Sequence, residues 1–518
     1  MPLSPACTCV SCPCHGETPA AGAGPAGSFA RSRDRFGETV SWLAGPAAGL
    51  EHGALEDELT VRGRELSRQM LQDHLDARAA AEVRVAVVAG ADGTARTRAE
   101  RGHSRPLASV FGEVTVTRIA YRAPGAANLH PADAALNLPE EKHSHGQRKL
   151  AAIESARGAF EAAGQAIGRV TGTALGKRQA EELARLGAAD VDAFYASRRP
   201  GPSGKDVLLV LQFDGKGIVM RPGALREATA KAAAAASRKL VTRLSPGEKN
   251  GRKRMAELAA VYDAVPAART PADIIRRPGG RGQQPPAPGP EAAGKWLAAS
   301  VTDDIPAVIA AGFDEAERRD PAHQRTWIAL VDGNRQQIDA ITAQAARRGV
   351  TVTILIDFIH VAEYIWKAAW SFFEPGDPDA EEWAARKLTA ILAGQAARVA
   401  AGIRRRATTY GYSPAERAGA DTCAAYLTAK QPYLAYHDAL AAGWPIATGV
   451  IEGACRHIVK DRMDITGARW GLEGAEAILK LRALISNGDF DDYWNYHLRQ
   501  EHQRIHQARY RDKLTLAA

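Results

Sequence analysis

Three acidic residues, Asp214, Asp332 and Glu452, stand where predicted elements end or begin. "KDVLLVLQFDGKGIVMR" reads as an apolar strand leading to Asp214, a turn at "DGKG", and a second strand opening on "IVM". "RTWIALVDGN" ends another strand on Asp332, and "GVIEGACRHIV" places Glu452 in the first turns of a helix capped by Thr448 or Gly449. Strand ends of a parallel sheet gather side chains at one edge, the usual crevice for ligands. A nearby helix can add a third carboxylate. Three acids together are electrostatically costly without cations. With two divalent ions about 4 Å apart they could cleave a phosphodiester, activating one oxygen and stabilising the other. Mg²⁺ or Mn²⁺ suits such a set, because hard cations prefer carboxylate oxygens and water. Each acid also has a structural reading. Asp214 and Asp332 both precede glycine and suit turns or caps, and Glu452 lies four residues before Arg456, a common helical ion pair.

Asp357 competes with Asp332. It ends the following strand in "ILIDFIHVAEYIW", with His360 one turn later. Either Asp357 is the second ligand, or Asp357 and His360 form a supporting pair on one helix face.

The elements that would position these residues are legible in outline. The expected divisions are a flexible Cys-containing segment (1–48), an α+β domain (49–145) and a helix-turn-helix-like region (146–200). Then come a first core part (204–360), an all-helical insertion (361–445), a last core part with the Glu452 helix (446–490) and a tail (491–518). From Leu50 to Arg78 the pattern is helical, with Leu55, Leu59, Leu66 and Met70 on one face. "EVRVAVVAG" and "SVFGEVTVTRIAYR" alternate like strands, and the second groups Val114, Val116 and Ile119. Residues 146–197 read as three helices. "GAFEAAGQAIGRVTG" followed by "TALGKRQAEELARLG" suits a helix-turn-helix carrying Lys177, Arg178 and Arg185, or a plain bundle with a solvated basic face. "MAELAAVYDAVP" reads as a third core strand, after a basic Ala-rich insertion, and "RRPGGRGQQPPAPGP" as a loop. "RTWIALVDGNRQQIDAITAQAARRG" and "VTVTILIDFIHVAEYIWKAAW" each read strand then helix, so the centre is α/β. From about Ala362 to Ala441 the chain reads helical, with Trp383, Leu388, Ile391, Leu392, Val399 and Ile403 at helical spacing and "RRRATTYGYSP" as a basic break.

Composition bounds the partners. The 518 residues carry 67 Lys and Arg against 59 Asp and Glu, a net +8. The isoelectric point is near 9.1. A modest basic excess fits a polyanion such as nucleic acid, or solubility alone. Candidate DNA contacts are Lys177, Arg178 and Arg185, with Arg456 and Lys460 on the Glu452 helix; Arg404 to Arg406 and Lys249 to Arg254 could hold backbone or simply be solvated. No apolar run approaches a membrane span and no secretory signal is apparent. Four of six cysteines crowd the start. That is no disulfide framework, and a reducing cytoplasm fits. Cys7, Cys9, Cys12, Cys14 and His15 could bind zinc as soft ligands, but their spacing is tighter than in ordinary fingers and no second ligand pair follows.

The motifs "FDGKG", "LVDGNRQQ", "DFIHVAEYIW" and "GVIEGACRHIVKDRMDITGARWG", with "VFGEVTVTRIAYR" and "LNLPEEKHSHG" upstream, resemble the ISKra family of bacterial insertion-sequence transposases. The resemblance covers roughly residues 100–490, and the family is similar to the Mutator-like DDE group. It implies an RNase H-like core, a mixed sheet flanked by helices and interrupted by an all-helical insertion, behind an N-terminal DNA-binding region. It gives Asp214, Asp332 and Glu452 the D-D-E roles with two Mg²⁺ or Mn²⁺ ions, and matches Asp357 and His360 to the Cys/Asp-x-x-His motif. It implies double-stranded DNA partners, terminal inverted repeats and target, held by a dimer or larger complex at the bacterial nucleoid. An RNase H-like nuclease that cuts without joining, and a silent DNA-binding regulator descended from a transposase, are the rival expectations.

Overall fold

The computed structural model describes residues 28–201, 203–235, 252–276, 285–465 and 467–511. The N-terminal cysteine cluster and Lys249 lie outside them. The chain forms two compact units, one of Met1–Ala151, Glu161–Lys177 and Leu498–Ala518, the other of Ala152–Phe160 and Arg178–His497. Among the described residues no helix is long and apolar enough to cross a membrane.

In the first unit, a helix at Ala30–Ala44 lies against the long helix His52–Ala81. The start of the chain was expected to be flexible to residue 48, yet this part is ordered. Asp73 explains why: it is fully buried and accepts from the Ser32 N–H at 3.0 Å, the Ser32 hydroxyl at 2.6 Å, Gln69 at 2.8 Å and Arg31 at 2.9 Å. That contact also corrects the expected helix face. Leu59 and Met70 are exposed, while Gln69, Asp73 and Leu75 point inward. A hairpin follows, Arg98–Ser109 with Gly112–Arg122. Val114 and Val116 pack with Leu75 and Leu107, but Ile119 falls on the other face with Val88, Tyr121 and Tyr510. Side chains alternate along a strand, so an odd-numbered Ile cannot join two even-numbered valines. Of "EVRVAVVAG" only Val88–Ala89 is strand.

Residues 146–197 hold four helices rather than three: His145–Arg157, Phe160–Thr171, Lys177–Gly187 and Val191–Ser197. The two helices of the expected helix-turn-helix are both present, and they belong to different units.

The second unit is mixed α/β around a five-stranded sheet. Its strands are β1 (Leu208–Val219), β2 (Lys253–Ala264), β3 (Ala292–Ser300), β4 (Trp327–Val331) and β5 (Val352–Ile356), in the order β3-β2-β1-β4-β5. β2 runs antiparallel to β1 and β3, and β4 and β5 run parallel to β1 and to each other. The expected hairpin at "DGKG" does not form. β1 stays extended through it, because β2 supplies a ladder partner at every position from Leu208↔Ala264 to Val219↔Lys253. Gly215 and Gly217 keep negative φ accordingly.

One sheet face carries Leu208, Val210, Ile328, Leu330 and Leu355 into a core shared with the helices Phe358–Ala369, Pro378–Leu392, Ala396–Thr409 and Ala418–Ala429. Trp383, Leu388, Ile391, Leu392, Val399 and Ile403 are all buried there, as their spacing predicts. The basic "RRR" is not a break but part of Ala396–Thr409. On the opposite face Phe213 sits against Gly312 of the helix Ile305–Arg319; a Cβ at Gly312 would lie 2.8 Å from the ring. That absence of a side chain sets how closely helix and sheet approach.

Candidate active site

Sheet register brings three aspartates into one row. β1 and β4 pair at Gln212↔Leu330, so Asp214 and Asp332 stand level two residues further on. β4 and β5 pair at Val331↔Ile356, which puts Asp357 level with Asp332. Asp332 and Asp357 directly follow β4 and β5, at the carboxyl edge where α/β sheets bind ligands, and Asp214 stands level with them inside β1, which runs on along β2 to Val219.

Their surroundings separate them. Asp214 and Asp332 line one cleft of about 870 Å³, together with Glu257, Asp304 and Arg226. Asp214 Oδ1 accepts from the Gly215 N–H at 2.7 Å, and Oδ2 from the Cys455 thiol at 3.3 Å. Burial first, and the charge of Asp332 in addition, raise the Asp214 carboxyl above the ordinary aspartate range. Asp332 keeps one oxygen on the Asn334 N–H at 2.7 Å.

Asp357 is only 4% exposed and fully engaged. It caps the helix Phe358–Ala369 by accepting from Ile359 at 3.1 Å, and it accepts from the Thr448 N–H at 3.3 Å and hydroxyl at 2.9 Å. His360 does not join it. Its ring packs edge-on against Tyr364 and Tyr426, with centroids 5.5 and 6.2 Å away. Tyr426 in turn donates to the Asp332 carbonyl at 3.1 Å.

Glu452 projects from the helix Gly449–Ala454. Its Oε1 lies 3.2 Å from the Thr448 hydroxyl, the group that also meets Asp357. One hydroxyl proton stands between two carboxylates. Desolvation, then the Asp357 charge, raises the Glu452 carboxyl. The helix continues as a π-helical stretch over Cys455–Lys460, a distortion frequent at functional sites. Cys455 links the two groups of acids, because its thiol donates to Asp214 while the Glu452 charge acts on it.

A buried glutamine sets the position of this helix. Gln212 is 0% exposed and shares a strand face with Asp214. Its Oε1 accepts from the Ile451 N–H at 3.0 Å, and its Nε2 donates to the Tyr262 hydroxyl at 2.8 Å and the Ala447 carbonyl at 3.3 Å. Gln212, Cys455 and Glu257 escape sequence reasoning; Thr448 stands at the cap position expected for it, but its bond to Asp357 was not foreseen. Only Gln212 leaves a local signal, a polar side chain inside the apolar run "VLLVLQF".

Among the described residues, no group of three or more His, Cys, Asp or Glu side chains is gathered tightly enough to hold a metal ion as it stands. The chemistry of the cleft still fits a hard divalent cation. Its acids are oxygen donors, and Asp214 and Glu257 are raised by burial and by the acids around them.

The basic candidates divide. Lys177, Arg178, Arg456 and Lys460 are exposed. Arg185 pairs with Glu473. Arg406 lies over the rings of Phe372 and Phe373, and Arg254 donates to the Val301 carbonyl at 2.7 Å, so both work within the fold. Among known proteins, no family model matches the chain and no curated protein is similar to it.

Proposed function

We propose that this chain is a DDE transposase, acting on transposon-end and target DNA at the bacterial nucleoid as a dimer or larger assembly. The observation that carries the reading is the level placement of Asp214 and Asp332 in one cleft, with the Glu452 helix pinned to the Asp214 strand by Gln212. The sheet order, the reversed β2 and the helical segment between β5 and the Glu452 helix support an RNase H-like core with an all-helical insertion.

Asp214, Asp332 and Glu452 would hold Mg²⁺ or Mn²⁺, whose chemistry when bound is to lower the pKa of an attacking water or hydroxyl and to neutralise charge on the phosphodiester. Asp357 acts as the supporting residue, since its oxygens are committed to Ile359 and Thr448. Thr448 orients Glu452. The exposed Arg456 and Lys460, on the continuation of the same helix, are suited to hold DNA phosphates beside the acids.

The test is cleavage and strand transfer with Mg²⁺ on DNA carrying the inverted repeats that flank the gene. The wild-type chain is expected to cut at the ends and join the freed 3′-hydroxyls to target. Asp214→Asn and Asp332→Asn should each lose roughly 100-fold or more in rate. Cleavage without joining would replace the transposase with a nuclease. Full activity in Asp214→Asn would remove the proposed site altogether.

A further inference from the structure

We infer that the first turn of the helix Arg335–Arg348, together with the side chain of Gln337, is a phosphate site that holds one phosphodiester of the DNA beside Asp332. The inference rests on the transposase reading above and gives a role to "RQQ", the part of "LVDGNRQQ" that the carboxylates leave unused.

Gln337 is 3% exposed, yet no described residue forms a hydrogen bond to its side-chain amide, and its Oε1 is buried without a donor. An unpaired polar group at that depth costs about 1–3 kcal/mol. The other buried glutamines are used at both ends of the amide. Gln69 bonds to Asp73 and Arg68, Gln147 to His143 and the Ser109 carbonyl, and Gln212 to Tyr262 and the Ile451 N–H. Gln337 departs from that pattern where it lines the cleft with Asp332. Only its oxygen is sealed off, which leaves the Nε2 end toward the cleft.

The backbone adds donors at the same place. Asn334 caps the helix: its Oδ1 accepts from the Gln336 N–H at 2.9 Å and its carbonyl from the Ile338 N–H at 3.1 Å. The N–H of Asn334 itself goes to Asp332 Oδ1 at 2.7 Å. The N–H groups of Arg335 and Gln337 are left without a partner among the described residues, as first-turn N–H groups are unless something caps them. They stand at the positive end of a 14-residue helix, the end that favours an anion. Helical side chains lean toward the N-terminus, so the Gln337 amide serves that same end. Asn334 and Gln336 line the cleft as well, and Asn334, Arg335 and Gln336 are exposed, so the turn is open to a DNA strand. Asp339 is offset by Arg335 at 2.9 Å. Asp332 by itself repels an anion, so the phosphodiester is held when a divalent cation offsets that charge.

The experiment is fluorescence anisotropy of the full chain in CaCl₂ with a duplex carrying one flanking inverted repeat. Single phosphodiesters of the duplex are replaced in turn by neutral methylphosphonates, and strand transfer in MgCl₂ is measured alongside. Gln337→Leu is expected to weaken binding of the unmodified duplex about tenfold, with melting unchanged or raised because no buried amide is left unpaired. One methylphosphonate position should weaken the wild-type chain and have no further effect on Gln337→Leu. If Gln337→Leu does not fold, Gln337→Met carries the same test. A folded variant that binds like wild type, or loses as much as wild type at every position, overturns the inference and leaves the transposase reading to strand transfer. Loss of one position's effect in the variant, with no strand transfer by the wild-type chain, overturns the transposase reading and upholds the phosphate site. A wild-type chain that binds no duplex overturns both.

Discussion

At the scale of single residues, what a polar group can do depends on which of its lone pairs and protons are already used. Asp357 and Asp332 are equivalent in sequence, each an aspartate at the end of a strand and the start of a helix. They differ in occupancy. Asp357 accepts three hydrogen bonds in a buried corner, while Asp332 retains an oxygen toward an open cleft. The same reasoning gives a prediction in the first unit. His130 Nε2 lies 3.0 Å from His103 Nδ1, and burial, with the Arg118 charge behind it, pushes its imidazole down from 6.5 to about 4. Unfolded, His130 takes its proton near the ordinary value. Between those two pH values the unfolded chain therefore holds more protons, and stability falls as the pH falls. The loss begins below about 6.5 and is complete below about 4. Relative to His130→Gln, the wild-type chain should lose about 1–2 kcal/mol between pH 7 and pH 5, allowing for partial exposure. Urea unfolding of both proteins at the two pH values measures it, and an equal loss in both would remove His130 as the cause.

At the scale of elements, the site depends on one strand holding one helix. Gln212 reaches from β1 to the first turn of the Glu452 helix, so a single side chain fixes the distance between elements that carry Asp214 and Glu452. Gln212→Leu leaves the Ile451 N–H and the Tyr262 hydroxyl without their partner, a cost of about 1–3 kcal/mol. Misplacement of Glu452 should also raise the Mg²⁺ concentration for half-maximal strand transfer, by roughly 10-fold to 100-fold. That shift separates positioning from mere destabilisation; a lowered melting temperature with unchanged Mg²⁺ dependence would leave Gln212 as packing only. Elements were also where sequence reasoning did best. β4, β5 and their following helices show in local periodicity, and so does the buried stripe from Trp383 to Ile403. Errors arose where a partner decides. "DGKG" looks like a turn until β2 pairs across it, and the inward face of His52–Ala81 is set by Gln69, Asp73 and Leu75 and their partners, not by Leu59 and Met70. The place of Glu257 in the cleft and the bond from Thr448 to Asp357 were invisible for the same reason, since each depends on residues far away along the chain.

At the scale of the whole molecule, the net charge of +8 does not by itself decide whether the proposed DNA contacts can form; that depends on which cations are engaged within the fold. The structure sorts them. Arg185, Arg254 and Arg406 are engaged by Glu473, backbone carbonyls and aromatic rings. Lys177 and Arg178 are exposed at the start of their helix. Cations that neutralise phosphates release counterions, and each such contact adds about 0.9 to the slope of log affinity against log salt. Replacing Lys177 and Arg178 together by Ala should therefore weaken duplex binding across sequences and lower that slope by about 2. Arg406→Ala should leave the slope unchanged and lower the melting temperature, because its guanidinium packs over Phe372 and Phe373. Fluorescence anisotropy over a KCl series reads both variants. A slope lowered by Arg406→Ala, or kept by the Lys177 and Arg178 double variant, would place the phosphate contacts on other basic residues.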